Sequence, residues 1–128
     1  MMTIRVYYRG SCNSSRRALE WFEKYGLEIE EKSIRKLTRE DLIHFLSLSD
    51  DGIPSVMKRE SGSRASVQKA LALFKTMTFN EAVQYLLSHT DLIRTPLVLE
   101  KNKHMIGYNE EEVQKFLPKA YRRQKSLR

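Results

Sequence analysis

Residues 3–26 read TIRVYYRGSCNSSRRALEWFEKYG and carry three structural signals in succession. The first residues are rich in β-branched and aromatic side chains, with Ile4 and Val6 alternating against polar neighbours, which is typical of a strand. A glycine and a serine then indicate a tight loop. Apolar residues recur at helical spacing from there to Gly26, which favours a helix that ends at this glycine.

The helix is expected to form the middle of a β-α-β unit. Ser14 or Ser15 can cap its start, because a serine hydroxyl accepts a hydrogen bond from an exposed backbone N–H. Residues 27–33 alternate apolar and polar side chains and therefore predict a second strand. A strand, a helix and a strand within about 30 residues fit this unit.

Residues 34–91 contain no strand signal and three helical patterns. The first pattern begins at Thr38, has acidic residues in its first turn and carries an apolar stripe as far as Asp50. The other two cover about 65–74 and about 79–88. This part of the chain is predicted to be entirely helical.

The pattern returns to strands after this helical block. Residues 97–99 and 104–107 are β-type runs separated by the turn 100–103, which predicts a β-hairpin. Asn109 then predicts the cap of a final helix over 110–117, with acidic residues at its positive end. The element order is β-α-β, helices, then β-β-α.

This order predicts an α/β sandwich in a single domain spanning residues 1–128. Its core is expected to comprise about 1–35 and 92–118, with the helical block at about 36–91 inserted between the two parts. Residues 119–128 are predicted to be a basic tail. The length suits one domain and excludes a second full one.

The charge of the chain is concentrated at its end. The formal net charge is +7, and residues 115–128 contain six basic side chains and no acid. The nearly neutral remainder argues against a domain that is uniformly basic for nucleic-acid binding. The tail has three interpretations: solvated disorder, contact with a partner, or non-specific attraction to DNA phosphates.

The sequence also excludes several classes of function. A single cysteine rules out an internal disulfide, a Cys-x-x-Cys metal site and an intramolecular dithiol couple. His44, His89 and His104 are too far apart in sequence to suggest a metal site, so neither metal nor cofactor is expected. No signal peptide and no apolar run of about 18 residues is present, which predicts a cytoplasmic protein without membrane contact.

Cys12 is the candidate reactive residue. It lies where the first strand gives way to the first helix, so backbone N–H groups, the helix dipole, Arg16 and Arg17 would all favour its thiolate. The same arrangement suits a phosphate-like oxyanion. The alternative is a small buried cysteine, but the polar residues around it make a poor apolar niche.

Several of these motifs together resemble a known family. The loop from Cys12 to Arg16, the helical block, the Arg94-Thr95-Pro96 motif and the last β-β-α unit are similar to the thioredoxin-like proteins that group glutaredoxin-dependent arsenate reductases with Spx transcription regulators. The resemblance covers nearly the whole chain. It implies a thioredoxin-like fold in which Pro96 is the loop proline, in cis and facing the cysteine loop.

The arsenate reductase branch implies a nucleophile and a set of arginines. Cys12 would attack arsenate, Arg16 and Arg94 would hold its oxygens, and a third contact would fall at either Arg59 or Arg64. Glutathione and glutaredoxin would be co-substrates under this alternative only.

One arginine of that branch is missing here. Its position in the last hairpin falls at or beside Tyr108, and the loss of a charge-assisted contact to arsenate weighs against an enzyme.

The Spx branch matches longer stretches, 92–98 and 107–118. It implies a regulator of the thiol or oxidative stress response that binds the C-terminal domain of the RNA polymerase α subunit at Gly52. That glycine has an ordinary interpretation too, as the left-handed residue that ends a helix. Ser15 replaces the second cysteine of the usual dithiol switch, which leaves a single-thiol site. We rank this branch first and expect a monomer when free.

Overall fold

A computed structural model describes residues 3–58 and 64–118 of the chain. Arg59, the side chain of Arg64 and the basic tail from residue 119 lie outside this description. The predictions made for them therefore stay predictions.

The sheet has four strands in the order β2-β1-β3-β4. The strands are β1 (Ile4–Tyr8), β2 (Ile29–Ser33), β3 (Leu97–Leu99) and β4 (His104–Ile106). Helix α1 (Asn13–Lys24) connects the neighbours β1 and β2, which gives the β-α-β unit expected from the sequence.

The central strand pairing joins two distant parts of the chain. Strand β1 runs antiparallel to β3 with Val6 opposite Val98, and β3 runs antiparallel to β4 with Val98 opposite Met105. Glu100 donates its backbone N–H to the Lys103 carbonyl at 2.9 Å and closes the predicted hairpin. These pairings make the loops at the ends of β1 and β3 neighbours.

The chain forms two compact units. The first comprises the described residues up to Lys32 and from Thr95 onward, and the second comprises 33–94. The second unit contains the three predicted α-helices, which are α2 (Arg39–Leu48), α3 (Arg64–Phe74) and α4 (Phe79–Ser88). It also contains short 3-10 turns at Ile34–Lys36, Ile53–Val56 and Thr90–Leu92.

Local capping explains where two of these helices begin. The Thr38 hydroxyl accepts from the backbone N–H of Asp41 at 3.1 Å at the start of α2. At the start of α4, the Thr78 hydroxyl accepts from the Glu81 N–H at 3.2 Å, and the Glu81 carboxylate accepts from the Thr78 N–H at 2.8 Å. This reciprocal pair is a capping box, which satisfies two backbone donors at once.

The cap of α1 differs from the prediction. Cys12, rather than Ser14 or Ser15, is the N-cap, with an extended backbone and a sulfur that accepts from the Ser15 N–H. The helix begins at Asn13, so both serines lie inside its first turn. The reactive candidate is therefore itself the helix cap.

The predicted final α-helix over 110–117 is wrong. The structure has a 3-10 helix at Glu112–Phe116, preceded by a turn in which the Asn109 side chain accepts from the backbone N–H of Glu111 and Glu112. Leu117 caps the segment, and Pro118 after it has no N–H with which to extend it. Hydrogen bonds between residues three apart, such as that from the Gln114 N–H to the Glu111 carbonyl at 3.2 Å, are those of a 3-10 helix, which is usually this short.

The core of the first unit lies between α1, the sheet and the final 3-10 helix. Phe22 is completely buried, with its ring 5.1 Å from that of Trp21 and 5.7 Å from that of Phe116. Val6 and Val98 are completely buried in the same cluster. This packing fixes α1, and with it the loop at its start.

Among the described residues, no helix has the length and apolar character needed to cross a bilayer.

Phe22→Ala is expected to lower the free energy of unfolding by about 3–5 kcal/mol, because it removes a buried ring and leaves a cavity. Urea unfolding followed by far-UV circular dichroism measures this loss. Glu23→Ala, at the exposed neighbouring position, is the control and should change stability by at most about 0.5 kcal/mol. A loss below about 1 kcal/mol for Phe22→Ala would contradict the assigned core.

Candidate functional site

Backbone hydrogen bonds hold the loop that carries Cys12. The Cys12 N–H donates to the Arg9 carbonyl at 3.0 Å, and the Cys12 carbonyl accepts from the Arg16 N–H at 3.2 Å. The sulfur accepts from the Ser15 N–H at 3.4 Å. Cys12 is partly exposed, so its sulfur is both fixed and accessible.

The segment before β3 supplies the other side of the thiol environment. The Cys12 thiol donates to the Thr95 carbonyl at 3.5 Å, although the two residues are 83 positions apart in sequence. The Thr95–Pro96 peptide bond is cis, as the family resemblance implies. The pairing of β1 with β3 brings these two loops together.

Two buried hydroxyl groups face the sulfur. Ser15 is 1% exposed and Thr95 is 7% exposed. The Ser15 hydroxyl accepts from the backbone N–H of Arg9 at 3.2 Å, and the Thr95 hydroxyl accepts from the Arg9 guanidinium at 3.3 Å. Arg9 therefore contacts both groups.

The net effect of these surroundings is to lower the pKa of the Cys12 thiol below its ordinary value. Partial burial is the largest single influence and by itself raises the pKa, because it penalises the charged form. Hydrogen bonds from the side chains of Ser15 and Thr95, and from the backbone N–H groups of Ser15 and Ser14, together outweigh it. The site thus favours the thiolate, the nucleophilic form of cysteine.

The predicted arginines are placed differently from one another. The Arg16 side chain is exposed, and its guanidinium donates to the Asn13 side-chain oxygen at 2.7 Å. Arg94 belongs to the second unit, where its backbone N–H donates to the Val56 carbonyl at 2.8 Å. Their roles as oxyanion ligands stay predictions, as do those of Arg59 and Arg64.

Tyr108, at the position of the missing arginine, lies beside another cation. The Arg17 guanidinium stacks over its ring at 4.7 Å and also pairs with Glu110 at 3.0 Å. Arg17, Tyr108 and Asn109 line an open surface cavity together with Glu110 and Glu111. Two carboxylates on this cavity oppose an oxyanion there, since like charges repel.

Gly52 does not end a helix, contrary to its ordinary interpretation. Helix α2 ends at Leu48 with Ser49 as its cap, and Gly52 instead begins the 3-10 turn Ile53–Val56. Its φ of 70° and ψ of −159° lie in a region that is essentially restricted to glycine. The backbone itself therefore requires a glycine at this position.

Within residues 3–58 and 64–118, no cluster of three or more histidine, cysteine, aspartate or glutamate side chains could hold a metal ion.

The sequence interpretation missed Arg9 and the side chain of Thr95. Both carry a sequence signal, since Arg9 directly precedes the glycine of the cysteine loop and Thr95 directly precedes the loop proline. What the sequence does not show is their direct contact, which depends on the β1–β3 register.

Comparisons with known proteins agree with this architecture. The ArsC family model matches residues 7–116. The chain is 31% identical over 123 residues to the global transcriptional regulator Spx of Streptococcus pneumoniae, which covers 94% of this chain and 90% of the relative. It is 30% identical over 127 residues to Spx 1 of Lactococcus lactis, with 97% and 96% covered.

A solved structure shows the same fold. The crystal structure of a Bacteroides fragilis protein described as ArsC family related matches with a TM-score of 0.72 and 21% identity, covering 88% of this chain and 97% of that one. The thioredoxin-like α/β fold expected from the sequence is confirmed.

Ser15→Ala is expected to raise the pKa of Cys12 by about half to one pH unit, because the thiolate loses one hydroxyl donor. Thiolate absorbance at 240 nm as a function of pH measures the pKa of the chain's one cysteine, once the tyrosinate absorbance of a Cys12→Ser reference is subtracted. Ser14→Ala is the matched control, since it keeps the backbone N–H that faces the sulfur. Equal pKa values for the Ser15 variant and the wild type would contradict this account.

Proposed function

The chain belongs to the ArsC family, and we propose that within it this protein is a transcription regulator of the Spx type, active in a thiol or oxidative stress response. The observation that carries the proposal is identity of about 30% to relatives named Spx, extending over nearly the full length of both chains. The proposed partner is the C-terminal domain of the RNA polymerase α subunit.

The proposed partner-binding surface is the loop around Gly52. Asp50 and Asp51 beside it are exposed, and a Cβ added at Gly52 would meet only a Pro54 side-chain atom at 4.0 Å. A partner can therefore approach the backbone closely at this point. Ser55 holds the loop in shape, because its hydroxyl donates to the Gly52 carbonyl at 2.5 Å.

Cys12 is proposed to be a single-thiol sensor. Its thiolate would attack a peroxide, break the O–O bond and become a sulfenic acid while the other oxygen leaves as hydroxide or alkoxide. A small thiol would then form a mixed disulfide with the sulfenic sulfur and release water. Because Ser15 stands where the dithiol switch has its second cysteine, the second sulfur must come from outside the chain.

Arsenate reduction is the second candidate, favoured by the lowered pKa of Cys12. Two observations place it below regulation. Tyr108 occupies the position of a family arginine, and the cavity beside it carries Glu110 and Glu111. Fewer cations would stabilise the bound oxyanion and its transition state.

The basic tail beyond residue 118 is proposed to add non-specific attraction to promoter DNA. Such attraction comes from neutralised phosphates and weakens as salt rises. It would strengthen a complex on DNA without supplying sequence specificity.

Gly52→Arg is expected to reduce binding of the α C-terminal domain at least about tenfold, because a long side chain in the contact loop displaces the partner. Isothermal titration calorimetry with the two purified proteins measures the dissociation constant. Equal dissociation constants for the wild type and the Arg variant would contradict the proposed interface. So would the absence of binding by both proteins.

A control must separate obstruction from backbone strain, since every side chain is strained at a φ of 70°. Gly52→Ala introduces that strain with little bulk. The proposal expects the Ala variant to bind more tightly than the Arg variant, at comparable unfolding temperatures. An equal loss of affinity in both would assign the effect to the backbone.

Turnover with arsenate, glutathione and glutaredoxin is expected to be at background level and unchanged in Cys12→Ser. NADPH consumption coupled through glutathione reductase measures it, with a working arsenate reductase as the positive control. Cys12-dependent turnover comparable to that control would instead assign the chain to the enzymes.

A further inference from the structure

We propose that Arg9 is a positioning residue for Cys12, which turns the hydroxyl protons of Ser15 and Thr95 toward the sulfur and so favours the thiolate. This inference deepens the proposed function, because it rests on Cys12 acting as a reactive thiol. The position of Arg9 directly before the glycine of the cysteine loop does not by itself indicate this role. Its contacts in the structure do.

Arg9 touches the cysteine loop through three different groups. Its carbonyl accepts from the Cys12 N–H at 3.0 Å, and its backbone N–H donates to the Ser15 hydroxyl at 3.2 Å. Its guanidinium donates to the Thr95 hydroxyl at 3.3 Å. The residue directly after β1 thus contacts the loop and both hydroxyls that face the sulfur.

The direction of these hydrogen bonds determines where the hydroxyl protons go. A backbone N–H and a guanidinium can only donate, so both hydroxyl oxygens act as acceptors toward Arg9. Each hydroxyl has a single proton, which neither of these two Arg9 donor groups can accept. Those protons are therefore left for another acceptor. The Cys12 sulfur lies beside both residues, 3.4 Å from the Ser15 backbone nitrogen and 3.5 Å from the Thr95 carbonyl oxygen, and hydrogen bonds from both side chains stabilise its thiolate.

Burial makes this orientation effective. Ser15 is 1% exposed and Thr95 is 7% exposed, so water competes weakly for their protons. A hydroxyl that accepts from a cationic donor also becomes a stronger donor itself, because hydrogen bonds in a chain polarise one another. The positive charge of Arg9 is thereby transmitted to the sulfur through Thr95.

Substitution of Arg9 separates its contact with the Ser15 hydroxyl from its contact with the Thr95 hydroxyl. The backbone N–H that contacts Ser15 survives any substitution other than proline, whereas the guanidinium that contacts Thr95 does not. Arg9→Met thus removes the hydrogen bond to the Thr95 hydroxyl and keeps a long side chain. Arg9→Lys keeps a donor-only cation on a flexible stem.

The test is a thermodynamic cycle on the pKa of Cys12, measured by thiolate absorbance at 240 nm in the full chain. Arg9→Met is expected to raise the pKa by about half a pH unit, and Arg9→Lys by less. Thr95→Ala alone should also raise it. In the Thr95→Ala background, Arg9→Met should add almost nothing, because its effect passes through the Thr95 hydroxyl.

Arg5→Met is the matched control. Arg5 lies on β1, the strand that leads into Arg9, pairs with Glu30 at 2.8 Å and carries the same charge. It should leave the pKa unchanged, and thermal unfolding of every variant verifies that the fold is retained.

Three results would overturn the role of Arg9. They are an unchanged pKa in Arg9→Met, a full additional rise in the Thr95→Ala background, and an equal rise in Arg5→Met. The second result would mean that the charge of Arg9 acts on the sulfur directly and not through Thr95. The third would mean that any nearby positive charge lowers the pKa of Cys12. If the pKa of Cys12 in the wild type equals the ordinary value for cysteine, the reactive-thiol part of the proposed function is contradicted instead. Binding of the α C-terminal domain is measured independently of this pKa.

Discussion

The antiparallel pairing of β1 with β3 is the constraint on which the thiol site depends. It places Val6 opposite Val98 and thereby makes neighbours of two loops from distant parts of the chain. Closing so long a loop costs conformational entropy, which local contacts alone would not offset. The buried cluster of the first unit, with Phe22 and Val6 fully enclosed, supplies the stabilisation. Cys12 meets Thr95 only because this sheet forms.

Once these loops meet, hydrogen bonds to the sulfur, rather than direct contact with the Arg16 guanidinium, set the state of the thiol. Burial disfavours the thiolate, and the donors from Ser15, Thr95 and the start of α1 more than compensate. The guanidinium of Arg16 is engaged with Asn13 instead. Such a site stabilises one negative charge on sulfur, which suits a thiol sensor better than it suits the binding of a multiply charged oxyanion.

Local patterns in the sequence predicted most of the fold. Helical periodicity and the glycine at position 26 predicted α1, and two β-type runs on either side of the turn 100–103 predicted the hairpin, because these signals depend on near neighbours. The prediction of a final α-helix was wrong because the pattern of residues 110–117 indicates a helical segment without distinguishing the hydrogen bonds of a 3-10 helix from those of an α-helix. The predicted position of the α1 cap was two or three residues too late, because backbone geometry rather than residue type decides which group caps a helix.

The candidate site was predicted less completely than the fold. Cys12 and Ser15 are close in sequence and belong to a motif, so both were identified. Arg9 and Thr95 were not linked, because their contact depends on strand register across the sheet. Gly52 was assigned a partner-binding role and an ordinary one, and the structure replaces the ordinary role with a strained turn that only glycine adopts readily.

The central claim is that this member of the ArsC family acts by docking on RNA polymerase. Its most direct test is nuclear magnetic resonance of the isotope-labelled chain titrated with the unlabelled α C-terminal domain. The account predicts that the backbone signals that shift or broaden first are those of residues 49–55, around Gly52. Unchanged spectra at saturating partner, or changes confined to the Cys12 loop, would contradict it.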